Sequence, residues 1–173
     1  MRLASREDAK RLPVVTLDQT RAVAGYPSQR LIAPAADALE RLLSAAAADK
    51  INLRPVSTWR ARPWANRAAY EADMVRRYGS VAEGQKWVAW DSLHHRGIAV
   101  DFAGEGLSTS SRAAGAMKSS KGFLWLQANA GRFGFGSYDR EPWHWEYRPA
   151  SRLPVVAAVV VGGALVAALW WWS

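Results

Sequence analysis

Residues 92–101 read SLHHRGIAVD and residues 141–146 read EPWHWE, and together they hold the three histidines of the chain, His94, His95 and His144. Each lies within a few positions of a carboxylate. His94 and Asp101 are seven residues apart. On one continuous strand an odd offset places two side chains on opposite faces, so these two converge only where the chain bends, and Gly97 is placed to supply the bend. Asp101 and Ala99 are then expected on a cleft and Ile98, Val100 and Phe102 on the core. In the second stretch His144 and Glu146 share one strand face, with Trp143, Trp145 and Tyr147 on the other. Pro142 fixes the backbone after Glu141, holding that carboxylate over a metal rather than bound to it.

Working outward, Ile32, Ala36, Leu39, Leu43 and Ala46 recur at helical spacing and predict a helix over 34–49. A short strand follows over 53–59. Pro63 is placed to open a second helix carrying Tyr70, Met74 and Tyr78 and stopping at Gly79. A third helix is expected over 120–130, with Phe123, Leu126 and Ala130 inward and Gly131 as its stop. Residues 104–120 (GEGLSTSSRAAGAMKSS) read as a surface loop bordering the cleft. With strands over 97–102 and 143–147, the expected fold is α+β, a small antiparallel sheet carrying the site and flanked by helices.

The chain has 173 residues, 50% of them hydrophobic and 22% charged, which fits one globular domain and excludes wholesale disorder. It contains no cysteine, so a bound metal has to be held by His and carboxylate groups. A formal charge of +8 attracts polyanions without choosing among nucleic acid, anionic lipid and cell wall. The first twenty residues break their apolar positions with charges, so no signal-peptide core is read there. The twenty residues 153–172 (LPVVAAVVVGGALVAALWWW) are uncharged and would span roughly 30 Å as a helix, long enough for a bilayer. The expected organisation is therefore an N-terminal extension over 1–30, a domain over 31–150 that carries both histidine stretches and a C-terminal transmembrane helix over 153–172. That helix is expected to anchor the protein to a membrane. Arg148 and Arg152 on its domain side favour a cytoplasmic domain.

Two imidazoles and one carboxylate would leave a zinc ion with one open position, where a water becomes acidic enough for a nearby Glu to deprotonate. A structural site would need a fourth protein ligand, for which His95 is the remaining candidate. Glu146 is read as a partner that orients a neighbouring histidine.

The pattern S-x-H-x-x-G-x-A-x-D (Ser92, His94, Gly97, Ala99, Asp101) followed by E-x-W-H (Glu141, Trp143, His144) resembles the zinc D-alanyl-D-alanine carboxypeptidases of the vancomycin-resistance type. These share a fold group with the lysostaphin-like and hedgehog-like proteins and include phage endolysin relatives. The resemblance extends to VSTWRAR and FLWLQANAGRFGFGSY and covers roughly residues 30–148. It implies one Zn²⁺ held by His94, Asp101 and His144, with Glu141 as catalytic base and Arg60 contacting a substrate carboxylate or the developing oxyanion. Ser92, His95, Trp143 and Glu146 are the expected supporting or substrate residues.

The chain departs from the family's S-G-Y-R-S turn, carrying Ser57-Thr58-Trp59-Arg60-Ala61, and lacks the usual Gln around Ala65 and Asn66. Glu146 stands where many carboxypeptidases carry an arginine. The implied activity is hydrolysis of peptidoglycan stem peptides by a monomer without specific nucleic-acid binding, either trimming a terminal D-alanine or cutting between L-alanine and D-glutamate as endolysins do. A non-catalytic zinc module and a nucleic-acid-binding protein are rival readings. The first has no need of Glu141, and the second has charge alone behind it.

Overall fold

The computed structural model describes residues 4–149. They form an α+β domain built on a four-stranded antiparallel sheet of order β3-β4-β6-β5, from Arg54–Ser57 (β3), Ala99–Ala103 (β4), Phe135–Tyr138 (β5) and Glu141–Tyr147 (β6). A separate hairpin pairs Arg21–Val23 (β1) with Tyr26–Leu31 (β2). Helices Arg6–Lys10 (α1), Ala33–Ala48 (α2), Arg67–Tyr78 (α3), Val81–Gln85 (α4), Ala114–Met117 (α5) and Lys121–Asn129 (α6) complete the order.

Helix α2 starts one residue before the expected helix, with Pro34 in its first turn, where a missing N–H costs nothing. It buries Ala35, Ala36, Ala38, Leu39, Leu42 and Ala46. Ile32 and Leu43 from the expected stripe are only partly covered, so the inward face is turned toward Leu42. Its small residues join a core with Ile98, Val100 and Phe102 of the site-bearing segment.

Asn66, not Pro63, opens α3, because its side chain accepts from the Ala69 amide at 2.9 Å and satisfies a free helical N–H. Gly79 ends the helix at φ 81°. Helix α6 runs close to expectation, but its last turn tightens into a 3₁₀ segment, Ala130–Phe133, and Gly134 at φ 84° is the stop in place of Gly131. The stretch 104–120 holds a 3₁₀ turn, Ser111–Ala113, and α5 rather than loop alone.

The transmembrane part of the expected fold is corrected. Residues 153–172 lie outside the described residues, and no helix among those described is long and apolar enough to cross a membrane. The longest, α2, has 16 residues. That is about 24 Å at 1.5 Å per residue, short of a bilayer core, and it carries Asp37, Glu40 and Arg41. The localisation by a C-terminal membrane anchor is withdrawn with it.

Strand β4 is held in place at its far end by Gly104, whose φ of 102° suits glycine and whose missing Cβ would meet the Asn52 carbonyl oxygen at 2.2 Å. Backbone cannot retreat as a flexible side chain can. Gly104→Ala is therefore expected to destabilise the fold by about 2 kcal/mol or more, read by chemical denaturation.

Candidate metal centre

His94 is delivered by a turn. Leu93–Arg96 form a 3₁₀ segment opened by Ser92, whose hydroxyl accepts from the His94 amide at 3.3 Å, and closed by Gly97 at φ 63°. The Gly97 carbonyl accepts from Ile32 N–H at 3.0 Å, which ties the turn to the start of α2. The bend expected at Gly97 is thus part of a whole helical turn that reverses the direction of the His94 side chain relative to β4.

Asp101 and His144 meet through register. They are direct partners across the antiparallel pair β4 and β6, with Val100 opposite Trp145 and Ala99 opposite Glu146. Cross-strand partners have their side chains on the same face, a few ångströms apart. His144 Nδ1 lies 2.8 Å from Asp101 Oδ1, and His94 Nε2 lies 3.3 Å from the same oxygen. One donor atom from each residue falls within 4.8 Å of the others, and all three residues are buried. This is a group able to hold a metal ion.

The orientation of each ring is fixed from behind. His94 Nδ1 lies 2.5 Å from the Thr58 carbonyl oxygen, which can only accept, so Nδ1 carries the hydrogen and Nε2 is left with a lone pair toward Asp101. His144 turns Nδ1 to Asp101 and Nε2 to Glu146 Oε1 at 3.3 Å. Glu146 is fully buried and accepts from Arg6 Nε at 2.6 Å. Carboxylates and carbonyls behind imidazoles are the usual way of setting a metal-binding tautomer.

Burial pushes the His94 imidazole below its ordinary range, more than the Asp101 contact restores. For His144 burial acts in the same direction but is outweighed by hydrogen bonding with Asp101 and then Glu146, and the imidazole is raised to about 9. Burial raises the Asp101 carboxyl, yet contacts with His144 and His94 hold it well below the usual carboxylate range. Glu146 is lowered despite its burial by His144 and Arg6. The donor set therefore presents an ionised carboxylate and one neutral imidazole, together with one imidazole whose proton a metal would displace.

Glu141, the first residue of β6, is part-exposed, and its Oε2 stands 4.0 Å from His144 Nδ1. It lies beside the donor set without joining it. Arg60 is exposed on the cleft just past β3, and its backbone N–H donates to the His94 carbonyl at 3.3 Å. His95 borders the same cleft but is buried, its Nδ1 without a hydrogen-bond partner among the described residues. Burial, then the nearby Arg62 and Arg60 charges, lowers its imidazole to about 4. Trp143 is buried in the core. Asn66, near where the family's glutamine would fall, spends its side chain on capping α3.

The cleft measures about 570 Å³ and is bordered by Trp64 and Trp87 as well as the motif residues. Trp64, Tyr70 and Trp90 form an aromatic cluster under Arg62 and Arg67. Sequence reasoning missed Arg6 and Tyr138, which also border the cleft. No motif marks Arg6, and Tyr138 closes the stretch FLWLQANAGRFGFGSY without any spacing that marks it as a cleft residue.

Zinc binding has to release the proton that His144 holds below about pH 9, whereas the neutral His94 has none to lose near neutrality. The apparent zinc affinity of the metal-free protein is expected to rise about tenfold per pH unit from near 7 toward about 9 and then to level off. Titration against a competing chelator across that range measures the slope.

The family model described as VanY: D-alanyl-D-alanine carboxypeptidase matches residues 28–150. The comparison with curated proteins found no match. Among solved structures, the LdcB LD-carboxypeptidase is 27% identical with a TM-score of 0.56, over 69% of this chain and 59% of that one, so this chain spans under two thirds of its length. A zinc complex of a mutant of the D,D-pentapeptidase VanY from a VanB-type resistance cassette is 24% identical with a TM-score of 0.51, over 79% of this chain and 82% of the other. VanYB in complex with D-alanine-D-alanine gives the same identity and TM-score over 86% of each chain, and these last two likenesses speak for the fold. The matched span holds both histidine motifs and the buried donor group between β4 and β6, and the chain belongs to the VanY family of D-alanyl-D-alanine carboxypeptidases, a family of zinc metallopeptidases.

Proposed function

We propose that this protein hydrolyses peptidoglycan stem peptides with one zinc ion and removes a terminal D-alanine. The observation that carries this reading is the donor group of His94, Asp101 and His144 on the cleft, with Glu141 beside it and not within it. A closed structural site would have used that fourth position.

His94, Asp101 and His144 would hold the zinc ion, which would supply Lewis-acid polarisation of a peptide carbonyl and acidify a nearby water. Glu141, part-exposed and 4.0 Å from His144 Nδ1, would accept a proton from the attacking water and hand it to the leaving amine. Asp101, ionised between two imidazoles, offsets charge gathered at the site. Arg60 projects from the end of the turn after β3, where a guanidinium can grip the carboxylate at the peptide terminus with paired hydrogen bonds. Arg77, Lys86 and Arg140 also border the cleft, which suits an anionic stem peptide. The LdcB neighbour is an LD-carboxypeptidase that recognises peptidoglycan, and the VanYB neighbour was solved with D-alanine-D-alanine.

Mass spectrometry of defined muropeptides incubated with the zinc-loaded protein tests the proposal. Loss of one terminal D-alanine is expected, absent in His144→Ala. Pentapeptide and tetrapeptide substrates separate D,D from L,D cleavage, and release of peptides cut after L-alanine would replace the carboxypeptidase reading. Glu141→Gln is expected to lower kcat by about 10²- to 10⁴-fold while zinc content stays unchanged. Arg60→Ala is expected to raise KM roughly tenfold or more. Full activity of Glu141→Gln would exclude this proton route.

A further inference from the structure

The His144 ring meets a second carboxylate and an aromatic ring in addition to Asp101. Its Nε2 faces Glu146 Oε1 at 3.3 Å, and its ring packs edge-on against Tyr138, 5.8 Å between centroids. Both flanking groups are gripped by one residue. Arg6 Nε donates to Glu146 Oε1 at 2.6 Å, and the Arg6 guanidinium stacks 4.1 Å from the centre of the Tyr138 ring. Arg148 offers Glu146 a second charge, but at 3.6 Å from Oε2, where that oxygen has no hydrogen-bond partner among the described residues.

Arg6 belongs to a segment that precedes residue 28, where the family match begins. That segment is fastened to both motif regions. The Ala4 amide donates to the Arg148 carbonyl at 2.9 Å, just past β6. Arg96, in the turn that carries His94, donates to the Lys10 and Leu12 carbonyls at 2.6 and 2.7 Å. The Val15 amide donates to the His95 carbonyl at 3.0 Å. Residues 4–15 thus form a strap lying from the end of β6 to the His94 turn.

We propose that Arg6 is a positioning residue for His144, acting through Glu146, and that the N-terminal strap is therefore part of the metal centre. The proposal rests on the reading of His144 as a zinc ligand. A buried carboxylate that loses its hydrogen-bond donor turns toward another partner. Arg6, donating to Oε1 at 2.6 Å, holds that oxygen in place 3.3 Å from His144 Nε2. Loss of such a supporting partner typically weakens metal binding by about 10- to 100-fold.

The test compares Arg6→Gln, Arg6→Lys and Arg11→Gln in the full chain. Arg11 lies on the same strap but is largely exposed and reaches only Asp8, at 3.6 Å. Zinc affinity is read by competition with a chromogenic chelator, ligand geometry by the visible spectrum of the cobalt-substituted protein, and stability by the Tm of the metal-free protein. Arg6→Gln is expected to weaken zinc binding about tenfold or more and to alter the cobalt spectrum. Arg6→Lys is expected to restore part of the affinity, and Arg11→Gln to match the unaltered protein. In a Glu146→Gln background the Arg6 substitution should cost no further affinity. Unchanged affinity and spectrum in Arg6→Gln, a fall in Tm alone, or additive losses in the double variant would each overturn the proposal and leave the proposed function standing. An unaltered protein that binds no zinc would overturn both.

Discussion

The register between β4 and β6 is the constraint on which the site depends. It sets Asp101 opposite His144, and only in that pairing do a carboxylate and an imidazole from distant parts of the chain share one buried face. A shift by one residue would turn His144 into the packed core and bring Trp143 or Trp145 to the cleft, since side chains alternate along a strand. The aromatic residues of β6 defend the register from the other side. Trp145 packs near Phe123 and donates to the Pro142 carbonyl, and Tyr147 packs on Phe135, so slippage would break apolar contacts as well as the donor group.

The remaining donor is added by a different device. A 3₁₀ turn ending at Gly97 lifts His94 onto the same patch, and the Thr58 carbonyl past β3 holds its ring. Three neighbouring strands and one turn therefore each supply an atom that the centre needs. Charge is balanced in the same economy of parts. Asp101 and Glu146 are buried acids that face imidazoles, and Arg6 offsets Glu146 from outside the sheet. Neither acid could remain ionised at such burial without those partners.

Much of this was legible beforehand. The S-x-H-x-x-G-x-A-x-D and E-x-W-H patterns located the donor group and the carboxylate beside it, because short-range spacing survives as local geometry. Helix α2 was visible in its apolar period, although the buried face centres on Leu42 rather than Leu43. Ends were less legible. Proline at 63 and glycine at 131 looked like helix boundaries, while the capping side chain of Asn66 and the left-handed Gly134 took those roles. Propensity marks where an end is allowed, and hydrogen bonds made by the folded chain select one of the allowed places. The hairpin of β1 and β2 and the short helix α1 carry too little periodicity to stand out. The apolar run near the C-terminus showed how strongly a composition signal invites a membrane reading that no described helix supports.

By itself the sequence determined the chemistry on offer: no cysteine, three histidines, and carboxylates spaced for a metal with an open position beside a base. Those facts are residue identities and near-neighbour spacings, which need no fold to be read. Only the tertiary structure decided which nitrogen of each imidazole faces the centre, because the Thr58 carbonyl that holds one ring is 36 residues from His94 and the Asp101 carboxylate that faces the other is 43 residues from His144. It also decided that Arg6, 140 residues before Glu146, stands behind His144. Contacts across such separations are paid for by burial of the whole core, and no local pattern records them.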